Sequence, residues 1–380
     1  MTGRYPQTNG LMGLIQPPYH WRFNSGERHL SHRLAEAGYH TVLFNHQHEA
    51  PHEESLGFAE FRAHDTGGYR LLTGEHVHTA EETAEALGVF LNERKHADCP
   101  FYAQAGFFET HVPYGWSGAE ADDPAAVRVP PHAPDTPETR AHIAGLTGAV
   151  RSLDTAVGGI LKALSDTGLD RRTILVFTVD HGVELPHCKW ELYDGGIHTA
   201  LLMTGPDALI SPATVCDDLV SNVDLVPSLL DLAGIPVPED MEGQSFAGAL
   251  RGQDEQARTP RGAVFAMMHG HHRWTESRCV RTDRYKFIRN FSPSRTLMDP
   301  CRPASGKQKE RPVVELYDLE ADPHECHDLG QDPAYAATRR QLDRQLLQWM
   351  RTVKDPILDG PVRTPYYRMA MRDVAEADTP

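Results

Sequence analysis

The sequence has no pair of cysteines at metal-ligand spacing: Cys99, Cys188, Cys216, Cys279, Cys301 and Cys326 are scattered singly along 380 residues. That argues against a structural zinc module, and a chain this long does not need a disulfide framework. Positive charge is short as well. Only 37 Lys and Arg stand against 53 Asp and Glu, a net charge of −16. A nucleic-acid groove concentrates Lys and Arg against phosphates, so that partner is set aside. An anionic small ligand stays open, because one lysine or metal reverses the field inside a cleft. No apolar run reaches the length of a membrane span, and the start, MTGRYPQTNGL, lacks the basic and apolar regions of a signal peptide. The expectation is a soluble, cytoplasmic protein.

What is present centres on residues 173–206. Ile174-Leu175-Val176-Phe177-Thr178-Val179 is an unbroken β-branched and aromatic run, the pattern of a strand buried on both faces of a parallel sheet. It stops at Asp180-His181-Gly182, which places oxygen and nitrogen donors where open α/β sheets bind ligands. Lys189 follows, then Tyr193-Asp194-Gly195-Gly196 and a second apolar run, Ala200-Leu201-Leu202-Met203. Taken alone, the Asp-His-Gly step reads first as a turn at a strand end, with an exposed lysine after it.

Upstream, helical spacing over residues 27–38 leads to a strand over 39–44, which ends in the polar cluster Asn45-His46-Gln47-His48-Glu49. A helix over 79–94 precedes a strand over 100–108, then Glu109-Thr110-His111-Val112-Pro113. Residues 122–137 are Pro-rich and read as a surface loop. A long amphipathic helix follows, with Ile143, Leu146, Val150, Leu153, Val157, Ile160 and Leu164 on one face and an end near Gly168. A short helix is expected over 223–232. Residues 253–262 look like a boundary. Beyond it, 278–291 alternates as a strand, 315–319 forms another, and Leu342, Leu346 and Trp349 mark a last helix. The fold class expected is α/β: a mostly parallel central sheet flanked by helices (1–255), with a smaller C-terminal antiparallel sheet plus helix (256–380).

Thr-x-Asp-His-Gly, then Lys189 ahead of Tyr-Asp-Gly-Gly and an apolar strand, resembles the second half of the sulfatase family of the alkaline phosphatase superfamily. TGRYPQTNGL resembles that family's T-G-x-x-P-x-x-N-G-[LM] segment. VRVPPHAPDTPETR and ELYDLEADPHECHDLGQDP are similar to its heparan N-sulfatase (sulfamidase) branch. The resemblance implies a substrate that is a small-molecule or oligosaccharide sulfate. It also implies roles: Asp180 and His181 as ligands of a divalent cation, usually Ca2+; Lys189 holding the sulfate; His48 contacting the catalytic aldehyde hydrate; and His111 protonating the leaving oxygen. His46 falls where the family has lysine, and Asn45 where it has glycine. An imidazole there carries charge only if a nearby anion raises its pKa. His271 and His272, in the cluster His269–Arg273, either reach the substrate or form a solvated loop.

The resemblance also implies a formylglycine nucleophile, made from Cys or Ser in C/S-x-P-x-R just ahead of the T-G-x-x-P segment. Here the sequence, Met1-Thr2-Gly3-Arg4, begins immediately after that place. Ser292-Pro293-Ser294-Arg295 puts Phe291 at the nucleophile position. The expectation is therefore an N-terminally truncated sulfatase, inactive without its upstream segment. Rival readings are a phosphonate or phosphodiester hydrolase on the same fold, or a non-catalytic protein that binds sulfated glycans.

Overall fold

The structure is a computed structural model that describes residues 1–16, 19–63, 77–253, 260–270, 275–293 and 310–377. Local sequence sets the helix ends. Helix α1 (Leu30–Glu36) is capped by the His29 side chain, which accepts from the Ser31 N–H. Helix α2 (Ala80–Arg94) opens with a capping box, in which Thr79 and Glu82 each accept the other's backbone N–H. Helix α3 (Pro137–Thr167) starts at the Thr136 cap with proline at its first position. It stops at Gly168, whose φ of 69° favours glycine.

Strand β1 (His40–Asn45) lies between β2 (Glu60–Arg62) and β3 (Phe101–Gly106), parallel to both. Val42 and Phe44 of β1 pack on Ala84, Leu87 and Phe90 of α2 and on Leu153, Ile160 and Leu164 of α3. Strand β4 (Leu175–Thr178) contributes Leu175 and Phe177 to that same core. Its paired neighbour, however, is β5 (Leu201–Thr204), and the pairing is antiparallel. The pattern over 174–179 predicts a strand buried on both faces of a parallel sheet. Instead the strand is four residues long, partly buried, and exposed at Thr178. A β-branched run signals extended, packed backbone but carries no information about the direction of its partner.

After α4 (Leu225–Leu232), strands β6 (Val264–His269), β7 (Glu276–Arg281), β8 (Tyr285–Asn290) and β9 (Val314–Asp318) form an antiparallel sheet in chain order. The alternation over 278–291 is two strands rather than one, because Thr282 and Tyr285 close a turn between them. Helix α5 (Ala336–Thr352) lays Leu342, Leu346 and Trp349 on Val280, Phe287 and Leu316 of the sheet. Tyr5, Met12 and Trp21 enter this same core, so the first residues of the chain are built into its last unit. A final helix, α6, spans Pro365–Ala377. Among the described residues no helix is long and apolar enough to cross a membrane.

Candidate active site at the strand ends

The site forms where β1, β3 and β4 end. β1 leaves the sheet at Asn45, whose φ of 57° lies in the left-handed region that asparagine tolerates better than most residues. Its side chain is anchored by donating to the His78 carbonyl (3.1 Å) and to Thr83 Oγ1 (3.0 Å). At the end of β3, Gly106 lies directly under the His46 carbonyl, and a Cβ there would sit 1.9 Å from that oxygen. The two strand ends are thereby pressed together. The His46 ring meets His48 at 4.5 Å and Phe108 at 5.3 Å, and Phe108 also contacts the His111 ring at 4.9 Å.

The second half of the cleft depends on another close approach. The Gly182 N–H donates to the Gly196 carbonyl at 2.9 Å, and a Cβ on Gly182 would stand 1.7 Å from the Gly195 oxygen. The Asp-His-Gly turn and the Asp-Gly-Gly turn are therefore docked backbone to backbone. Between them, the Lys189 N–H donates to the Val183 carbonyl. The Lys189 Nζ then reaches 3.3 Å from His111 Nε2, 3.5 Å from Glu184 Oε2 and 4.9 Å from the Trp190 ring centre. Lys189 and Glu184 are both buried. His111 Nδ1 lies 2.7 Å from the Val112 carbonyl, so Nδ1 carries the proton that is donated there. Nε2 is then left to accept from the lysine.

The three imidazoles are held neutral. His46 is pushed down to about 3, first by burial and then by the proximity of His48 and His111, with Asp180 opposing. Burial also lowers His48, against the pull of Asp180, and it lowers His111, with the Lys189 ammonium adding to the effect. His48 and His111 are nonetheless solvent-accessible. Both stand where solvent, and so a ligand, reaches them. His46 therefore holds no positive charge, because no anion close by outweighs the loss of water around the ring.

The backbone carrying Lys189 is bolted to the C-terminal sheet. Arg311 Nη2 donates to Glu191 Oε1 at 2.9 Å, and the Tyr193 hydroxyl donates to Glu315 Oε2 at 2.6 Å. Asp194 pairs with Lys286 and with Arg281, and its N–H donates to Glu325. Lys286 also pairs with Glu325 at 3.1 Å and is fully buried. Burial alone would raise the Asp194 pKa, but the charge and hydrogen bond of Lys286 hold it below the usual carboxylate range.

Of the residues singled out in the sequence, His46, His48, His111 and Lys189 are brought together. Asp180 and His181 stand beside them, side by side, with Asp180 Oδ2 3.4 Å from His181 Nε2. His181 is turned to its own neighbourhood, with Nδ1 2.8 Å from the Gly182 carbonyl. Among the described residues no three His, Cys, Asp or Glu side chains converge as a metal would require. Two donors fall well short of the six to eight oxygens that calcium takes. The residues present do not by themselves fit a complete calcium site. His271 and His272 lie outside the described residues. Their neighbour His269 is buried at the end of β6, 3.2 Å from Glu276 and edge-on to Trp21, a packing role. Nothing in the sequence marks Glu184, Trp190 or Phe108 as site residues. They lie in irregular loop or at a strand exit, where no periodicity defines a face.

Comparison with known proteins identifies the family. The family described as Sulfatase matches residues 1–235, and that described as N-sulphoglucosamine sulphohydrolase, C-terminal, matches residues 187–299. A human protein named N-sulphoglucosamine sulphohydrolase is 27% identical over 420 residues, covering 95% of this chain and 81% of that protein. A solved "2-O GAG sulfatase" superposes with a TM-score of 0.72 at 23% identity, over 96% of this chain and 82% of that one. A phosphonate monoester hydrolase from Silicibacter pomeroyi shares the fold with a TM-score of 0.66 at 17% identity, over 96% and 87% of the two chains. With a family match across more than half its length, the chain belongs to the sulfatase family, whose relatives named sulfatases are sulfuric ester hydrolases.

Proposed function

We propose that the cleft binds the sulfuryl group of a sulfated sugar and assists its hydrolytic release. The observation that carries this reading is the juxtaposition of Lys189 Nζ and His111 Nε2 at 3.3 Å, at the mouth of three strand ends. A sulfated sugar presents non-bridging oxygens, which an ammonium neutralises, beside a bridging atom (oxygen in an O-sulfate, nitrogen in an N-sulfate) that needs a proton as it leaves. When a ligand takes the Lys189 ammonium, His111 Nε2 is released from that hydrogen bond; it takes up a proton from solvent and passes it to the bridging atom as the bond to sulfur breaks. His48, neutral and accessible, is placed to exchange a hydrogen bond with the reacting group. His46 acts as a neutral wall against Phe108. Formylglycine, where a sulfatase holds one, supplies the hydrate oxygen that attacks sulfur. His46, His48, His111 and Lys189 include no Cys or Ser in C/S-x-P-x-R, so these side chains bind and protonate rather than attack. A divalent cation would draw on Asp180 and His181.

The sugar assignment rests on the relative named for N-sulphoglucosamine and on the glycosaminoglycan sulfatase of the same fold. Calorimetric titration of the chain with glucosamine 2-N-sulfate, glucosamine 6-O-sulfate and plain glucosamine tests it. The sulfated sugars should bind, plain glucosamine should not, and Lys189→Ala should abolish the difference. Equal binding of all three would refute the reading. Peptide mapping of the protein from its source cell, searching for a formylglycine peptide, separates a hydrolase from a sulfated-glycan-binding protein.

A further inference from the structure

We propose that Glu184 is a specificity-determining residue of this cleft, one that limits it to singly charged sulfuryl groups and disfavours doubly charged phosphoryl groups. The proposal rests on the reading of the cleft as a sulfate-ester site. Glu184 takes no part in sulfuryl binding or proton transfer, yet its carboxylate is buried 3.5 Å from the cleft lysine. A buried carboxylate in an anion-binding cleft works against binding unless it does something else.

The surrounding charges indicate what that is. His46, His48 and His111 are held neutral, so the positive charge the described side chains bring to this spot is that of Lys189. Glu184 offsets it, and Asp180 adds a further negative charge near His46 and His48. A sulfate monoester is a monoanion and pairs with Lys189 at the cost of sharing it with Glu184. A phosphate monoester loses its second proton near about pH 6 and is a dianion above that. Its extra charge meets the Glu184 carboxylate across the same ammonium, in a partly desolvated site where like charges repel strongly. Discrimination between two groups of the same shape then comes from a built-in repulsive element. Glu184 also has a positioning effect, because it draws the Lys189 Nζ to the side that keeps it in reach of His111.

The test is binding of three aryl esters at pH 8: phenyl sulfate and methyl phenyl phosphate, each carrying one charge, and phenyl phosphate, carrying two. The wild-type chain should bind both monoanions at least about tenfold more tightly than the dianion, about the step that one unit charge makes in a partly screened site. Glu184→Gln, which keeps the shape and removes the charge, should tighten phenyl phosphate by about tenfold while moving the monoanions less than about threefold. Glu184→Asp should restore the discrimination. An unchanged ratio of monoanion to dianion in Glu184→Gln overturns the proposal, as does loss of all binding, which would make Glu184 a purely structural prop for Lys189. If Glu184→Gln fails to fold by circular dichroism, the methyl phenyl phosphate to phenyl phosphate ratio of the wild type decides alone, and a ratio near one refutes the idea. Lys189→Ala separates the two readings. If it leaves phenyl sulfate binding intact, the sulfate-site reading falls; if it abolishes binding while Glu184→Gln changes nothing, only the charge filter falls.

Discussion

The strand-end cleft and the C-terminal ionic clamp use the same residue types in opposite ways. In the clamp, Lys286, Asp194 and Glu325 are tied to one another, Arg278 is tied to Asp355, and Glu315 accepts from Tyr193, Tyr317 and Asn290. Each of these charges has an opposite partner or hydrogen-bond donors, which is the condition for tolerating ions in a core. In the cleft, three imidazoles share one lysine and one buried carboxylate, and their pKa values are lowered rather than matched to a partner. Paired charge holds the Lys189 segment in place. In the cleft, Lys189 is offset by a single carboxylate and stays beside solvent-exposed imidazoles, where a ligand can reach it.

The sharpest way to break this contrast is to remove Lys286. Lys286→Ala strands the buried Glu325 and leaves Asp194 with Arg281 alone, and should cost about 3–5 kcal/mol in urea unfolding, since a buried carboxylate is left without its cation. Lys189→Ala strands Glu184 alone at the edge of a cleft. It should cost about 1–3 kcal/mol while abolishing binding of phenyl sulfate. Equal destabilisation by the two variants would erase the distinction between clamp and cleft.

Acid should separate the regions next. Burial works to raise the Asp355 pKa, but its bonds to Arg278 and Gln7 hold it below the carboxylate range. The stability this provides is fully present above the unfolded value of about 3.9 and is lost as pH falls through the lower folded value. Asp355→Asn should flatten that acid limb of the urea midpoint. His46 works earlier on the scale. Its folded pKa, about 3, lies below the unfolded value of about 6.5, so the unfolded chain gains a proton first and stability declines as pH drops through that window. His46→Gln should remove this part of the decline. A His46 ring resonance that titrates between pH 6 and 8 would contradict its neutral assignment.

The smallest effect expected is chemical. Cys279 is fully buried and its thiol is pushed up to about 12, first by desolvation, whereas Cys99, Cys216 and Cys326 are exposed. An aromatic disulfide reagent at pH 8, read by peptide mapping, should label Cys99, Cys216 and Cys326 and leave Cys279 unmodified until the chain unfolds.

Helices were largely legible from local signals. The Thr79–Glu82 box, the Thr136-Pro137 start and Gly168 mark their ends within a few residues, because capping is a local matter of orphaned backbone groups. Strand identity was also legible, but strand partnership was not. β4 lies in an unbroken apolar run, yet it pairs antiparallel with β5. Of the site, His48, His111, Asp180 and Lys189 could be read in order along the chain from a family pattern. Glu184 could not, since its contact with Lys189 exists only because the turn over residues 182–189 folds its carboxylate back onto that lysine.

The sequence alone determined the α/β class, the sulfatase resemblance and the identity of the histidines and lysine at the strand ends, because strand exits, caps and glycine-dependent turns are written in adjacent residues. Tertiary structure decided the charges those residues carry. Whether His46 is an imidazole or an imidazolium depends on the protein packed around it. Whether Lys189 is free or already matched depends on a carboxylate brought within 3.5 Å by the docking of Gly182 against Gly195 and Gly196. Desolvation and distance are properties of the folded surroundings, and no residue letter encodes them.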